Sequence, residues 1–211
     1  YAAPDGTLWV GTVEGGLNRR IKGERNFIHY TKTNSALPHN SVSTLTADAY
    51  GRLWIGTWGG GVCWIDMKNP QTIVRLELPA EQARLTNYIG AMAYDAINGG
   101  MWIGSNDGLF FYSFKNKQLI EPFEECQLVR GCIGSIVTRD GHLWMGCMQG
   151  VVIVDLKSEK NGQIATRNIR HLLADPTSKI VDKISSFCET IDGTLWLGSN
   201  GYGLYKRVLD E

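Results

Sequence analysis

The sequence has no surplus of charge. Lysine and arginine number 21, aspartate and glutamate 21, and the formal net charge is zero. Without a basic excess there is no electrostatic footprint for nucleic acid or for an anionic membrane surface. The densest basic stretch, Arg19, Arg20, Lys22 and Arg25, is short and reads as a solvated turn. No apolar run approaches the roughly 18 residues that cross a bilayer. No charged-then-apolar leader opens the chain, and it begins at Tyr1 rather than Met, so it is expected to be a processed or excised piece. There is no G-x-S-x-G elbow, no H-E-x-x-H and no Walker loop, which removes the local signatures of catalysis. Five cysteines cannot all pair internally, and none stands in C-x-x-C spacing, so a structural zinc site is not expected. Four of Cys63, Cys126, Cys132, Cys147 and Cys188 lie in or beside apolar runs, and these thiols read as small buried hydrophobes. No cofactor, metal or membrane contact is expected of this segment.

Glycine and tryptophan are abundant, at 25 and seven in 211 residues. The stretch Tyr50 to Gly61, YGRLWIGTWGGG, shows why. The pattern x-G-x-[Leu/Met]-Trp-apolar-Gly begins at Asp5, Tyr50, Asn98, Asp140 and Asp192. Its tryptophans are Trp9, Trp54, Trp102, Trp144 and Trp196, and its closing glycines Gly11, Gly56, Gly104, Gly146 and Gly198. Long-period self-similarity of this kind is the mark of a repeat architecture.

The surroundings repeat as well. Upstream lie short segments rich in β-branched and small residues: SVSTLTAD, YIGAMAYD, CIGSIVTR and KISSFCET. An Asp-Gly, Tyr-Gly or Asn-Gly pair then turns a hairpin, because glycine accepts positive φ. The Trp strand, a second glycine-containing turn, a third strand and a more polar fourth strand follow. Residues two apart in a strand share a face. Trp54 and Gly56 therefore point one way, Leu53 and Ile55 the other. Both faces are apolar, as in a sheet covered on both sides. The indole is expected to fill the gap between sheets, with the glycine leaving room for a bulky residue opposite.

Four antiparallel strands in roughly 45 residues is the size of a propeller blade. The expected fold is all-β, a β-propeller segment over residues 1–211. Blade 1 is partial (1–36); blades 2, 3 and 4 are whole (37–82, 83–126, 127–174); blade 5 is partial (175–211). Both partial blades carry their own Trp strand, so they duplicate rather than complete each other. An open arc of a larger ring of about seven blades is expected, with exposed edges that need covering.

These residues resemble the two-component regulator propeller repeat. DGTLWVGTVEGGLNR at Asp5 and YGRLWIGTWGGGVCWID at Tyr50 carry the likeness, with LPHNSVSTL at Leu37 as the lead-in to the innermost strand. It weakens later, where Cys147-Met148-Gln149-Gly150 replaces Thr-x-x-Gly-Gly. The resemblance implies the periplasmic sensor region of a hybrid two-component histidine kinase. It implies two consecutive propellers, then a β-sandwich, a membrane helix and a kinase in the full-length protein outside these 211 residues, with an oligosaccharide ligand sensed through the geometry of a homodimer.

A propeller carries its variable loops at two rims. The near-identical Asp-Gly hairpins of one rim look architectural. The other rim joins the turns after the Trp strands to the blade-to-blade connections, and it varies, as binding loops on a rigid scaffold do. Its candidates are Glu14, Trp58, Asn106, Asp107, Gln149, Asn200 and Tyr202 from the turns, with His39, Asn40, Asn87, Tyr88 and Arg130 from the connections. Aromatic rings stack on pyranose faces, while amides and carboxylates meet hydroxyls. Trp58 stands out, because the other turns lack an aromatic at that position. The four histidines, His29, His39, His142 and His171, fall at unrelated places in the repeat. A glycoside hydrolase propeller, with carboxylates on distant loops, and a protein-interaction scaffold are the alternatives.

Overall fold

A computed structural model describes residues 1–123, 130–137, 139–147, 150–157, 166–168, 183–201 and 203–207. It contains five antiparallel sheets in chain order, within two compact units, residues 1–90 and 91–211.

The first unit holds two sheets. One has the order β1 (Leu8–Gly11), β2 (Leu17–Arg20), β3 (Ile28–Tyr30). Ahead of it, Ala2 bridges Leu8, and the Tyr1 and Trp9 backbones exchange hydrogen bonds. The other sheet has the order β4 (Val42–Ala47), β5 (Arg52–Thr57), β6 (Val62–Asp66), β7 (Ile73–Arg75). Trp9, Leu17, Leu37, Val42, Leu53, Ile55, Cys63 and Ile65 form its core.

The second unit takes up the chain within β8 (Ile89–Asp95), whose first two residues belong to the first. Its sheets are β8, β9 (Gly100–Ser105), β10 (Leu109–Ser113), β11 (Gln118–Ile120); then β12 (Gly134–Val137), β13 (His142–Cys147), β14 (Gly150–Asp155), β15 (Thr166–Asn168); then β16 (Ile184–Glu189), β17 (Leu195–Ser199), β18 (Leu204–Arg207). Trp102, Leu109, Phe111, Leu143 and Met145 anchor one core cluster; Trp144, Ile153, Ile184 and Leu197 anchor another.

Four of the Trp strands, β5, β9, β13 and β17, lie second in their sheets, while β1 opens its own; β9 is buried along its whole length. What the closing glycine makes room for is set by the residue that enters the next sheet. A Cβ on Gly56 would stand 2.6 Å from a methyl carbon of Ile89, and one on Gly11 2.6 Å from a methyl carbon of Val42. Cys132 occupies the same place over Gly104. The glycine therefore serves close approach, not backbone freedom.

A second device recurs beside the indole. Asp48 is fully buried and accepts hydrogen bonds from the Trp54 Nε1–H (2.7 Å), the Tyr50 and Arg52 backbone N–H groups (2.8 and 3.1 Å) and the Arg52 guanidinium. That guanidinium also lies 5.1 Å from the Trp54 ring and 5.4 Å from the Trp64 ring. Asp95 repeats the arrangement, accepting from Trp102 Nε1–H (3.0 Å), the Ile97 and Asn98 backbones (2.9 and 3.0 Å) and the Asn98 amide (2.8 Å). In the first repeat the place is taken by Ala3, whose N–H bonds to Thr7 O as Asp48 N–H does to Arg52 O. There Trp9 Nε1 and Arg19 Nε are buried without an acceptor. The hairpin acids Asp5 and Asp192 act differently. Both are exposed, and both are held below the usual carboxylate range by local donors: the Thr7 backbone N–H first for Asp5, the Thr190 hydroxyl first for Asp192.

Two details depart from expectation. Cys63, Cys132 and Cys147 are buried, but Cys188 is exposed on β16, the first strand of its sheet; Cys126 lies outside the described residues. A short helix, α1 (Ala80–Leu85), follows β7, with Glu81 and Arg84 paired at 2.7 Å across one turn. It is too short for a 3.6-residue apolar pattern to announce it.

Candidate functional site

At four of its five turns the variable rim is built by a hydroxyl that closes the turn; in the fourth repeat that place holds Cys147. Directly after the glycine of the Trp strand stands a Thr or Ser whose hydroxyl donates to the carbonyl at the far side of the turn. The pairs are Thr12 to Gly16 (2.9 Å), Thr57 to Gly61 (2.8 Å), Ser105 to Gly108 (3.4 Å) and Ser199 to Gly203 (3.0 Å). The closed turn is then tied to the connection entering the next sheet. Gly16 N–H donates to Asn40 O (2.8 Å), Gly59 and Gly61 N–H to Asn87 O (3.0 and 3.1 Å), and Gly131 N–H to Asn106 O (3.1 Å). None of these hydroxyls was singled out from the sequence, although their regular place after the glycine was the available signal.

In the first unit this scaffold brings six of the expected residues into one continuous group. Glu14 holds a left-handed backbone, φ 66°, which a non-glycine residue adopts at a cost of about 1–2 kcal/mol. Ser41 fixes it there, donating its hydroxyl to Glu14 Oε1 (2.9 Å) and accepting from Glu14 N–H (3.4 Å). The Ser41 N–H donates to His39 Nδ1 (3.0 Å), so a neutral His39 carries its proton on Nε2. The His39 ring lies over Gly59, where a Cβ would stand 3.4 Å from it. Trp58 N–H reaches Ser41 O (2.8 Å), and Trp58 and Tyr88 form an isolated bridge.

Their rings meet edge to face, with centroids 5.6 Å apart and planes 69° apart. Trp58 is 41% exposed and Tyr88 42%. Two large aromatics thus support each other while both stay open to solvent. Asn87 takes part through its carbonyl, and the Asn40 side chain is occupied in accepting from Lys32 N–H (2.9 Å), a scaffold role.

Among the described residues of the second unit, Asn106, Asp107, Arg130 and Asn200 show no ring-supported group of this kind. Asn106 and Asp107 share one turn, where Asp107 N–H donates to Ser105 Oγ (3.0 Å); exposed Arg130 precedes Gly131 in the adjoining connection. Asn200 sits at another turn, its N–H bonded to Lys183 O (2.9 Å). Gln149 and Tyr202 lie outside the described residues. Among the described residues no cluster of three or more His, Cys, Asp or Glu could hold a metal ion, and no helix is long and apolar enough to cross a membrane.

Comparison with known proteins agrees with the blade geometry. The model of the two component regulator propeller matches residues 36–59 and 178–201, each stretch ending just after a Trp strand. An extracellular domain from B. thetaiotaomicron, named for a hybrid two component system, is similar over 99% of this chain and 26% of its own, with TM-score 0.78 and 19% identity. A second such domain from the same organism covers 97% of this chain and 26% of its own, with TM-score 0.75 and 22% identity. PorZ, a surface component of the type-IX secretion system of Porphyromonas gingivalis, covers 98% and 31%, with TM-score 0.68 and 18% identity. No curated protein matches the chain. At these identities the likeness establishes the fold. The chain is a β-propeller segment that spans about a quarter of the length of the extracellular domains it resembles.

Proposed function

We propose that this chain is the ligand-sensing segment of an extracytoplasmic sensor region in a hybrid two-component histidine kinase, and that the rim of its first unit takes an oligosaccharide. The observation that carries the ligand class is the Trp58–Tyr88 pair, exposed and rigidly supported beside Glu14 and His39. A pyranose ring presents C–H groups on its face and hydroxyls on its rim. An indole braced by a second ring offers the apolar platform, and the Glu14 carboxylate and His39 Nε2–H offer an acceptor and a donor beside it. The strained backbone at Glu14 supports a binding role, since such strain is concentrated at functional sites.

The sensor role rests on the repeat and on the fold likeness to extracellular domains named for two component systems. Occupancy of the rim would bias the geometry of a homodimer of the whole protein, with the remaining blades and the downstream region carrying the change. Binding, not bond cleavage, is what this reading asks of the chain. Calorimetry on the complete extracytoplasmic region with a panel of plant and host oligosaccharides tests it. At least one saturable binding heat is expected, and Trp58→Ala should weaken it roughly thirtyfold, the effect of losing about 2 kcal/mol at an aromatic anchor. A panel without heat rejects the ligand class.

A further inference from the structure

The repeat departs from its own pattern twice at a single place. In the second, third and fifth sheets, the residue that enters the first strand and the residue that follows the Trp-strand glycine are an aliphatic and a hydroxyl. Val42 pairs with Thr57, and Ile184 with Ser199. The fourth repeat places Cys132 and Cys147 there. Cys132 fills the space over Gly104, as Val42 does over Gly11, and Cys147 directly follows Gly146. Their sulfurs stand 3.3 Å apart, and the two residues are 1% and 0% exposed. One cysteine here would be an ordinary buried replacement. Two replacements that face each other across adjoining backbone give the placement a cross-link requires.

We propose that Cys132 and Cys147 join as a disulfide when the chain folds in an oxidising compartment, stapling the entry of β12 to the end of β13. The step is thiol–disulfide exchange with a dithiol–disulfide oxidoreductase. One cysteine thiolate attacks the oxidant's disulfide to form a mixed disulfide, and the second displaces the oxidant's sulfur. Two thiols are oxidised, and the oxidant leaves as its dithiol with their two electrons and two protons. Timing follows from burial. The hydrogen bond with Cys147 and the loss of solvent hold the Cys132 thiol well above its ordinary range, so Cys132 offers little thiolate once folded, and both sulfurs are closed off from solvent. Oxidation belongs to the folding chain, before the pair is enclosed. The geometry does not depend on the ligand reading; the extracytoplasmic placement proposed above supplies only the oxidant.

The test is to refold the full chain in a glutathione redox buffer with a disulfide isomerase, alkylate it in denaturant and map the peptides by mass spectrometry. A joined peptide pair containing Cys132 and Cys147, two hydrogens lighter than the dithiol, supports the cross-link. Alkylation of both thiols, or pairing of either with Cys63, Cys126 or Cys188, overturns it. Reduction should lower the melting temperature of the oxidised protein by about 6–12 °C, the expectation for a loop of roughly 15 residues. The C132V/C147T double variant, which restores the pair seen at Val42 and Thr57, should show no such loss; an equal loss in that variant overturns the proposal. The same mapping on protein isolated from its own host separates the two readings. Thiols there, with a cross-link in the refolded chain, would refute the extracytoplasmic placement and leave the geometry supported.

Discussion

Replacing Asp48 with alanine should be among the costliest single changes in the first unit. Its carboxylate is buried, with the side chain at 0% exposure, and receives four donors from within six residues. Loss of the acceptor strands the Trp54 indole N–H, and Trp54 is 1% exposed, so water cannot replace it. An orphaned buried donor costs about 1–3 kcal/mol. The Arg52 side chain is 24% exposed and can rehydrate, so its part falls well short of the roughly 3–5 kcal/mol of a fully buried broken pair. We expect a total near 3 kcal/mol, read by urea unfolding with near-ultraviolet circular dichroism. A cycle with Trp54→Phe, which removes the indole N–H, should recover about 1–2 kcal/mol of that loss as coupling. A cost below about 1 kcal/mol for Asp48→Ala, or no coupling to Trp54, would refute the idea that the carboxylate locks the indole.

Four further outcomes follow from the same packing. Ala3→Asp should stabilise the chain by about 1 kcal/mol net, since it restores an acceptor to Trp9 Nε1 and Arg19 Nε; unchanged or reduced stability in urea would contradict the equivalence of Ala3 and Asp48. Gly56→Ala should cost about 1–3 kcal/mol through overpacking against Ile89 and Thr44, and a neutral result in the same assay would show that these neighbours give way easily. Maleimide should label Cys188 in the native protein and spare Cys63, whose burial pushes its thiol up to about 12. Because that folded value lies above the unfolded one near 9, the contribution of neutral Cys63 is complete below pH 9 and is lost as pH rises toward 12. Cys63→Ala should flatten that alkaline limb in a pH series of unfolding curves.

The repeat was legible because it is written in rare letters at fixed offsets. Tryptophan, two flanking glycines and a hairpin pair give the same strand five times, and Trp58 is visible as an aromatic where its counterparts are Val13, Asn106, Met148 and Asn200. What filled the glycine was not legible. Ile89 lies 33 positions after Gly56 and Val42 31 after Gly11, so the contact belongs to tertiary packing rather than to strand periodicity. The acceptors Asp48 and Asp95 were present in the letters but hidden by their neighbours. The acid of an Asp-Gly hairpin draws attention, yet Asp5 and Asp192 are exposed turn residues, while the buried acceptor stands six or seven positions before the tryptophan. Its place holds Ala3 and Thr190 in two other copies, and in the fourth it falls on Thr138, outside the described residues. The gathering of Glu14, His39 and Tyr88 around Trp58 depends on turns and connections 19 to 74 positions apart in the chain, a proximity that composition could suggest only as a shared rim.

The central claim is that the Trp58 indole receives a sugar. Its Nε1–H resonance in the complete extracytoplasmic region, followed by NMR during titration with an oligosaccharide that gives a binding heat, tests this most directly. A saturable shift at Trp58 that tracks the calorimetric isotherm is the predicted result. A Trp58 resonance that stays in place while the heat saturates would put the site elsewhere and contradict the account.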